Sequence, residues 1–255
     1  MASFNNNEDN FFEQLNMKVD INSLPDKFSS PFNSQPHPIC LAAVKQLQHH
    51  LTIQSNWEHN FGLSNKNTGP VIGKMFGVLV VKNSSNLMGY LSAFSGKLAG
   101  GNVHPKFVPP IYDALTEGSF LNIGMQELTS INKKIEALNE EEAGEIKKLK
   151  EIRKSHSITL QEKLFDHYHF INKYGEEKSL MDIFHNKPPS GAGECTAPKL
   201  LQYAFQNNMQ PIAIAEFWWG LSPKSNQWKH GHFYPACDEK CGPILAFMLK
   251  GILLS

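Results

Sequence analysis

The sequence predicts a mixed α/β (α+β) fold, because its segments follow the order helix, two strands, helix, strand, helix. Apolar residues spaced three and four apart after Pro38 indicate a helix over about 38–54. Two apolar runs, at 74–82 and 87–95, flank the turn-forming residues Asn-Ser-Ser-Asn, a pattern typical of a β-hairpin. A second core helix begins near Cys195, and a strand and a last helix follow it. A chain of 255 residues is long enough to bury a substantial core.

Composition divides the chain into an arm, a core and an insertion. Residues 1–34, rich in Asn, Ser, Pro and Phe, are predicted to form an irregular N-terminal arm. The core is predicted from 35–122 and 179–255, with a third strand at 211–219 beside the hairpin and helices flanking the sheet. Residues 123–178 are predicted to form a helical or coiled-coil insertion.

The insertion shows a heptad-like apolar pattern with Lys and Glu between the apolar positions. The repeating residues are Leu128, Ile131, Ile135 and Leu138. This spacing is compatible with one long helix or with a helical hairpin broken near 139–144.

The charge composition excludes a strong global attraction for polyanions. Twenty-four Lys and Arg balance twenty-four Asp and Glu, so the formal net charge is zero. The polar, acidic first residues lack the apolar stretch of a secretion signal, and the apolar runs are too short to cross a bilayer. Four cysteines in a chain of this size do not suggest a disulfide framework. We therefore expect a cytoplasmic protein with reduced thiols and no membrane partner.

Three of the four cysteines have positions suited to metal binding. Cys195 opens one helical segment, and Cys237 and Cys241 open the last one. Zinc binds thiolate and imidazole ligands tetrahedrally, and His232 or His230 in the preceding His-Gly-His can complete the set. The sequence thus predicts zinc as a cofactor. The alternative is that the cysteines are small buried apolar residues.

The order of elements and the placement of these cysteines resemble the zinc deaminase fold, a three-layer core with ligands at the N-termini of its second and third helices. Zinc deaminases carry a glutamate two residues after the first ligand and a Pro-Cys-x-x-Cys motif later. Here Ala197 stands two residues after Cys195, and the later motif is Cys-x-x-x-Cys. The adjacent Glu194 is the catalytic candidate. A purely structural metal site, or a site that has lost its base, remains open.

A second group of residues is a candidate RNA-binding surface. Lys199, Trp218, Trp219 and Tyr234 lie near the cysteines along the chain, and aromatic rings can stack on unpaired bases. Core packing of the aromatic residues and an ordinary surface position for the lysine are the alternatives. Glu216 lies inside an apolar strand, where it is either an outward-facing charge or an acid of the site.

Several long strings resemble the region that precedes the catalytic domain in long, RluA-type pseudouridine synthases of bacteria. They are Pro-His-Pro-Ile-Cys (36–40), Lys-Met-Phe-Gly-Val-Leu-Val-Val (74–81), Gly-Tyr-Leu-Ser-Ala-Phe-Ser-Gly-Lys-Leu-Ala-Gly (89–100), His-Pro-Lys-Phe-Val-Pro-Pro-Ile-Tyr-Asp (104–113), Gly-Ala-Gly-Glu-Cys-Thr-Ala-Pro-Lys-Leu-Leu-Gln-Tyr-Ala (191–204) and His-Gly-His-Phe-Tyr-Pro-Ala-Cys (230–237). The resemblance as a whole extends over nearly the entire chain from about residue 20.

The resemblance implies a role in RNA modification without synthase chemistry in this chain. The catalytic Arg-Leu-Asp motif of RluA-type synthases does not occur in the sequence. We therefore expect an accessory domain that binds RNA (rRNA or tRNA) or a separate pseudouridine synthase catalytic domain. The alternative function is a zinc-dependent, deaminase-like hydrolase that acts on a nucleobase. A remnant with only a structural role is a third possibility.

Overall fold

The computed structural model describes residues 11–16, 20, 23–65, 68–185 and 187–255. Residues 1–10, 17–19 and 21–22 of the predicted arm lie outside the described residues. The strands are β1 (Glu13–Gln14), β2 (Lys74–Lys82), β3 (Met88–Phe94), β4 (His169–Ile171), β5 (Glu177–Ser179), β6 (Gln210–Trp219) and β7 (Phe233–Tyr234). The helices are α1 (Pro38–Ile53), α2 (Phe120–Ala137), α3 (Ala143–Asp166), α4 (Leu180–Ile183), α5 (Thr196–Gln206) and α6 (Asp238–Met248). The fold is mixed α+β.

An antiparallel sheet with strand order β1-β3-β2-β6-β7 forms the centre of the described structure. The hairpin of β2 and β3 closes at Asn83, whose side-chain Oδ1 accepts hydrogen bonds from the backbone N–H groups of Ser85 and Leu87. Asn86 adopts a positive φ of 61°, which asparagine tolerates well in a tight turn. Strand β6 then pairs along the other edge of β2 over its whole length.

Helices cover both faces of this sheet, because apolar side chains of a strand alternate between its two sides. On one face, Phe76, Val78 and Val80 of β2 are buried in one apolar cluster with α1. On the other face, Leu79 and Val81 are buried in a second cluster with α5 and α6. The long, nearly continuous apolar sequence of β2 is therefore explained by burial on both sides.

The predicted insertion contains a helical hairpin rather than one long helix. Helices α2 and α3 pack against each other and are joined by a short 3₁₀ turn at Glu140–Glu142. Asn139 precedes this turn, and its N–H donates to the side chain of Glu142 at 3.0 Å. Side-chain atoms of Leu160 on α3 lie so close to Gly124 on α2 that a Cβ there would approach them to 2.4 Å. The close approach explains a glycine inside α2.

Strand β4 also lies in the range assigned to the insertion, yet it packs on the core, and β5 pairs with it. Tyr168 and Phe170 are almost fully buried in the cluster that contains α5. Gln202 of α5 accepts a hydrogen bond from the N–H of Ile171 at 3.0 Å. Strands of three residues are too short to show a two-residue period, so the sequence pattern does not reveal them.

The described part of the N-terminal arm is attached to the core. Strand β1 pairs with β3, and Phe28 forms a bridge to Leu254 near the C-terminus. The Ser29 hydroxyl accepts a hydrogen bond from the N–H of Ile214 at 3.1 Å. None of the described helices is both long enough and apolar enough to span a membrane.

Candidate metal centre

Two helix N-termini bring three cysteines together on the α5–α6 face of the sheet. Cys195 is the N-cap residue of α5 and Cys237 is the N-cap residue of α6. Cys241 lies one turn into α6, on the same side as Cys237. The three sulfur atoms all lie within 4.8 Å of one another, and the Sγ atoms of Cys237 and Cys241 are 3.4 Å apart.

This arrangement can hold a metal ion. Thiolates that share one zinc ion lie about 4 Å apart, given Zn–S bonds of about 2.3 Å. Helix N-termini present partial positive charge and free N–H groups, both of which stabilise thiolates. The fourth cysteine, Cys40, is buried in α1 on the opposite face of the sheet. Position in the fold therefore separates the trio from Cys40.

Hydrogen bonds among the three sulfurs are the largest causes of the pKa shifts of the three thiols. Hydrogen bonds with Cys195 and Cys241 lower the pKa of Cys237 to about 2. The hydrogen bond with Cys237 is the largest cause that raises the pKa of Cys195, to about 12, and burial adds to it. Hydrogen bonds with Cys195 and Cys237, followed by burial, also raise the pKa of Cys241. The three thiols therefore titrate as one interacting group.

Histidine ligands are not brought into this cluster. Within the described part of the chain, the group of potential ligand atoms consists of the three cysteine sulfurs. The exposed His232 contributes its backbone instead, with its C=O accepting from Trp218 and its N–H donating to Lys229. The Nδ1 atom of His230 accepts a hydrogen bond from Gly220 at 3.0 Å. Among the cysteines and histidines predicted as ligands, only the three cysteine sulfurs are therefore placed to bind a metal ion together.

Glu194, the carboxylate next to Cys195, is engaged by a tyrosine. The hydroxyl of Tyr168 donates a hydrogen bond to its Oε1. Burial raises the pKa of Tyr168, and the neighbouring charge of Glu194 raises it further, so the tyrosine is the donor. The Glu194 backbone C=O also accepts from the N–H of Gly96. These contacts tie the segment before α5 to the loop after β3.

Glu216 of β6, which the sequence left as either an outward-facing charge or an acid of the site, lies in the interior. Only 7% of its surface is exposed, and its Oε1 accepts a hydrogen bond from the N–H of Ala197 at 3.0 Å. Burial raises the pKa of Glu216 to about 8, the hydrogen bond from Ala197 opposes this shift, and the charge of Cys237 adds to it. The interpretation of Glu216 as an outward-facing charge is therefore wrong.

The first turn of α5 lies directly on the sheet at this point. Gly77 of β2 is the register partner of Glu216, and a Cβ on Gly77 would come within 2.9 Å of Thr196 Cβ. The absence of a side chain at Gly77 lets α5 approach closely, so that Glu216 can reach the backbone of Ala197. Glycine in a strand often marks such a close backbone approach.

Lys199 lies in the interior, in contrast to the surface position considered for an RNA contact. It is 2% exposed, and its Nζ donates to the backbone oxygen of Phe94 at 2.9 Å. The ammonium also lies 5.2 Å from the centre of the Phe94 ring. Burial lowers the pKa of Lys199, while the charges of Glu194 and Cys195 oppose that shift. These contacts join α5 to β3, and the ammonium group does not face the surface where a phosphate backbone would bind.

Three aromatic residues form a half-buried cluster beside Glu216, called here the aromatic wall: Trp218, Trp228 and Tyr234. The rings of Trp218 and Trp228 stack with centroids 5.2 Å apart, and Tyr234 meets Trp228 edge-on at 4.7 Å. Tyr234 is the register partner of Glu216, so both side chains lie on the same face of the sheet. Trp219 points to the other face, where it contacts Phe217 and His230.

Comparisons of this chain with protein-family models, with curated proteins and with solved structures found no match.

Proposed function

We propose that this chain is a zinc-binding domain with a deaminase-like fold, which recognises an unpaired nucleobase in RNA as part of RNA modification. The observation that carries the proposal is the convergence of Cys195, Cys237 and Cys241 from two helix N-termini. A metal ion bound by three protein ligands keeps a fourth position for water or substrate. The open position distinguishes a reactive site from a closed structural one.

The topology around the cysteines supports the deaminase-like interpretation. Strand β2 lies between β3 and β6, with α1 on one face and α5 and α6 on the other. The ligands come from the helices that precede and follow β6. Zinc deaminases use a His or Cys followed by two Cys as ligands, and sets of three cysteines occur among them. The widened spacing of Cys237 and Cys241 is accommodated because residues four apart share one side of a helix.

Zinc fits this site better than a hard cation does. Thiolates are soft ligands that select zinc over magnesium or calcium, which prefer oxygen. A bound zinc ion acidifies a coordinated water to a pKa near 7, which supplies a nucleophile at neutral pH. The residues of this chain then have to bind a base, exclude bulk water and move protons.

The aromatic wall supports recognition of a base rather than of the phosphate backbone. Every nucleobase has a face that can stack on tryptophan or tyrosine. A chain with zero formal net charge has no strong global field to gather phosphates. The resemblance to the N-terminal region of RluA-type pseudouridine synthases supports a role for such recognition in RNA modification, and we propose a synthase catalytic domain as the partner.

Metal analysis of the purified protein tests the zinc site. We expect one zinc per chain in the wild-type protein and much less than one in Cys237→Ser. The matched control is Cys40→Ser, which alters a cysteine on the opposite face and should keep its zinc. Wild-type protein without stoichiometric zinc after reconstitution would contradict the proposal.

RNA-binding assays test the second half of the proposal. Short single-stranded RNAs should bind better than duplexes of the same composition, because stacking needs an unpaired base. Binding should weaken only modestly with added salt, because few phosphate contacts are involved. If no single-stranded RNA binds at low salt, the RNA assignment fails while the metal assignment stands.

A further inference from the structure

An apolar residue would pack better than Glu216 at its position in the fold. It occupies an interior position of β6 in which the flanking residues Ala215 and Phe217 are buried and apolar. A buried carboxyl group is costly unless its environment provides partners. Within the described residues, its side chain makes one hydrogen bond, from the N–H of Ala197. That bond involves Oε1 and leaves the second carboxyl oxygen for another partner.

The position of this hydrogen bond is informative. Ala197 stands two residues after Cys195, where zinc deaminases carry their proton-transferring glutamate. In this chain the side chain at that position is a methyl group, and a carboxyl group from the adjacent strand reaches its backbone N–H instead. The sheet thus supplies the carboxylate that the helix lacks. The N–H group that it accepts from belongs to the first turn of α5, the helix that Cys195 caps, so the carboxyl group lies beside the start of that helix.

We infer that Glu216 is the proton-transfer residue of a hydrolytic deamination at this site, and that the substrate is the exocyclic amino group of an unpaired cytosine or adenine. This inference rests on the proposed function. It transfers to Glu216 the role for which the sequence suggested Glu194. The Oε1 atom of Glu194 is instead occupied by the Tyr168 hydroxyl.

The reaction adds one water to the amino-bearing ring carbon and releases one ammonia. Glu216, starting as the carboxylate, accepts a proton from the attacking water as the C–O bond forms, and passes it to the adjacent ring nitrogen. A second proton moves from the new hydroxyl through the same carboxyl group to the amino nitrogen. The C–N bond then breaks, ammonia leaves and the ring carbonyl forms. The carboxyl group ends unchanged and no oxidant or reductant takes part.

Substrate placement follows from the same face of the sheet. Tyr234 lies opposite Glu216 across β6 and β7, and Trp218 lies two residues further along β6. A base stacked against the aromatic wall would therefore lie beside the carboxyl group. The stacking itself does not select one base, so selection between cytosine and adenine depends on the edge of the base.

The test uses the zinc-loaded chain of 255 residues with short single-stranded RNAs that contain either one cytidine or one adenosine. Mass spectrometry of the nucleosides detects uridine from the first and inosine from the second. We expect product from one of the two RNAs with the wild-type protein. Glu216→Gln should lower the rate by about 100-fold or more, the usual scale for loss of a general acid–base. Glu216→Asp should retain part of the rate, because it keeps a carboxyl group.

The Gln variant is chosen because its amide oxygen can still accept the hydrogen bond from Ala197. We therefore expect Glu216→Gln to fold, with a melting temperature no lower than that of the wild type. Zinc affinity, measured by competition with a chelating dye, and the thiolate absorption of the Co²⁺ form should also match the wild type. Glu177→Gln is the matched control, because it changes an exposed carboxylate on β5. It should behave as the wild type in every assay.

Four results would overturn the inference. They are no product from either RNA, a rate within a few-fold of the wild type in Glu216→Gln, loss of zinc in that variant, or a large rate loss confined to Glu194→Gln. Zinc content and RNA binding are measured on the same samples. Absence of either one overturns the proposed function together with the inference, whereas their presence without product overturns only the inference.

Discussion

The carboxyl group of Glu216 links the candidate site to the stability of the fold. Burial raises its pKa from 4.5 to about 8 in the folded state, whereas unfolding returns it to water. Below pH 4.5 both states hold the proton, and the stabilising contribution is fully present. As the pH rises toward 8, the unfolded state loses the proton first, so the free energy of unfolding falls.

We predict that the metal-free wild-type protein loses stability relative to Glu216→Gln between about pH 5 and about pH 8. The expected slope of the difference is roughly 1.4 kcal/mol per pH unit. Urea unfolding of both proteins at several pH values measures it. The comparison isolates the carboxyl group, because the cysteines are present in both proteins. Parallel pH profiles would show that Glu216 has no raised pKa.

We predict different effects on RNA affinity for a substitution in the aromatic wall and for one at Lys199. Trp228→Ala removes a stacking surface and should weaken binding of single-stranded RNA by roughly 5- to 150-fold, from about 1–3 kcal/mol per stacked base. Lys199→Met should leave RNA affinity unchanged, because the ammonium is buried against Phe94. Fluorescence anisotropy with a labelled oligonucleotide measures both. A larger loss for Lys199→Met than for Trp228→Ala would reverse the assignment.

At the scale of the elements, the seating of α5 on β2 decides whether the site forms. The close approach at Gly77 brings the first turn of the helix, which follows Cys195, against the sheet. The same approach brings the carboxyl group of Glu216 to the backbone of Ala197. The site therefore depends on a position that carries no functional group itself.

We predict that Gly77→Ala lowers both stability and zinc affinity. A Cβ at this position would lie 2.9 Å from Thr196 Cβ and 3.2 Å from Leu200 Cδ1, so α5 must shift. Overpacking of this kind costs about 1–3 kcal/mol. The matched control is Gly144→Ala in α3, where no atom lies within 4 Å of the added Cβ and alanine favours the helix. Thermal melting and zinc competition should separate the two variants, and equal behaviour would contradict the packing argument.

At the scale of the whole molecule, the three cysteines join elements that are distant along the chain. Cys195 precedes α5, whereas Cys237 and Cys241 belong to the start of α6, on the far side of β6. A metal ion held by all three would bind the folded chain and not the unfolded one. Metal binding and folding are therefore thermodynamically coupled.

We predict that a chelator lowers the melting temperature of the wild-type protein. With free zinc at one hundred times its dissociation constant, the stabilisation is about 2.7 kcal/mol. For a chain of this size, this corresponds to a shift of roughly 5–10 °C. Differential scanning fluorimetry with and without chelator measures it, and Cys237→Ser should show no shift. A wild-type protein that does not respond to the chelator would contradict the coupling.

Much of the local structure follows from the sequence alone. The apolar run from Lys74 to Lys82 predicts β2 with the bounds that the structure shows, because its residues are buried on both faces. The predicted second strand and third strand differ from β3 and β6 by one residue at their ends. The two helices that open near Cys195 and Cys237 are also present. These features depend on the spacing of apolar residues and on turn-forming residues, which are properties of short segments.

The tertiary structure alone decided which polar groups meet. The hydrogen bond from Ala197 to Glu216 joins residues nineteen positions apart, and the one from Lys199 to Phe94 spans more than a hundred. The sequence could place the cysteines at helix starts, but their sulfur atoms come within 4.8 Å only because α5 and α6 pack side by side. Close packing between distant segments is not encoded in any local pattern. This packing buries Lys199 and leaves His232 outside the sulfur cluster. It also brings Glu216 to the start of α5, next to that cluster.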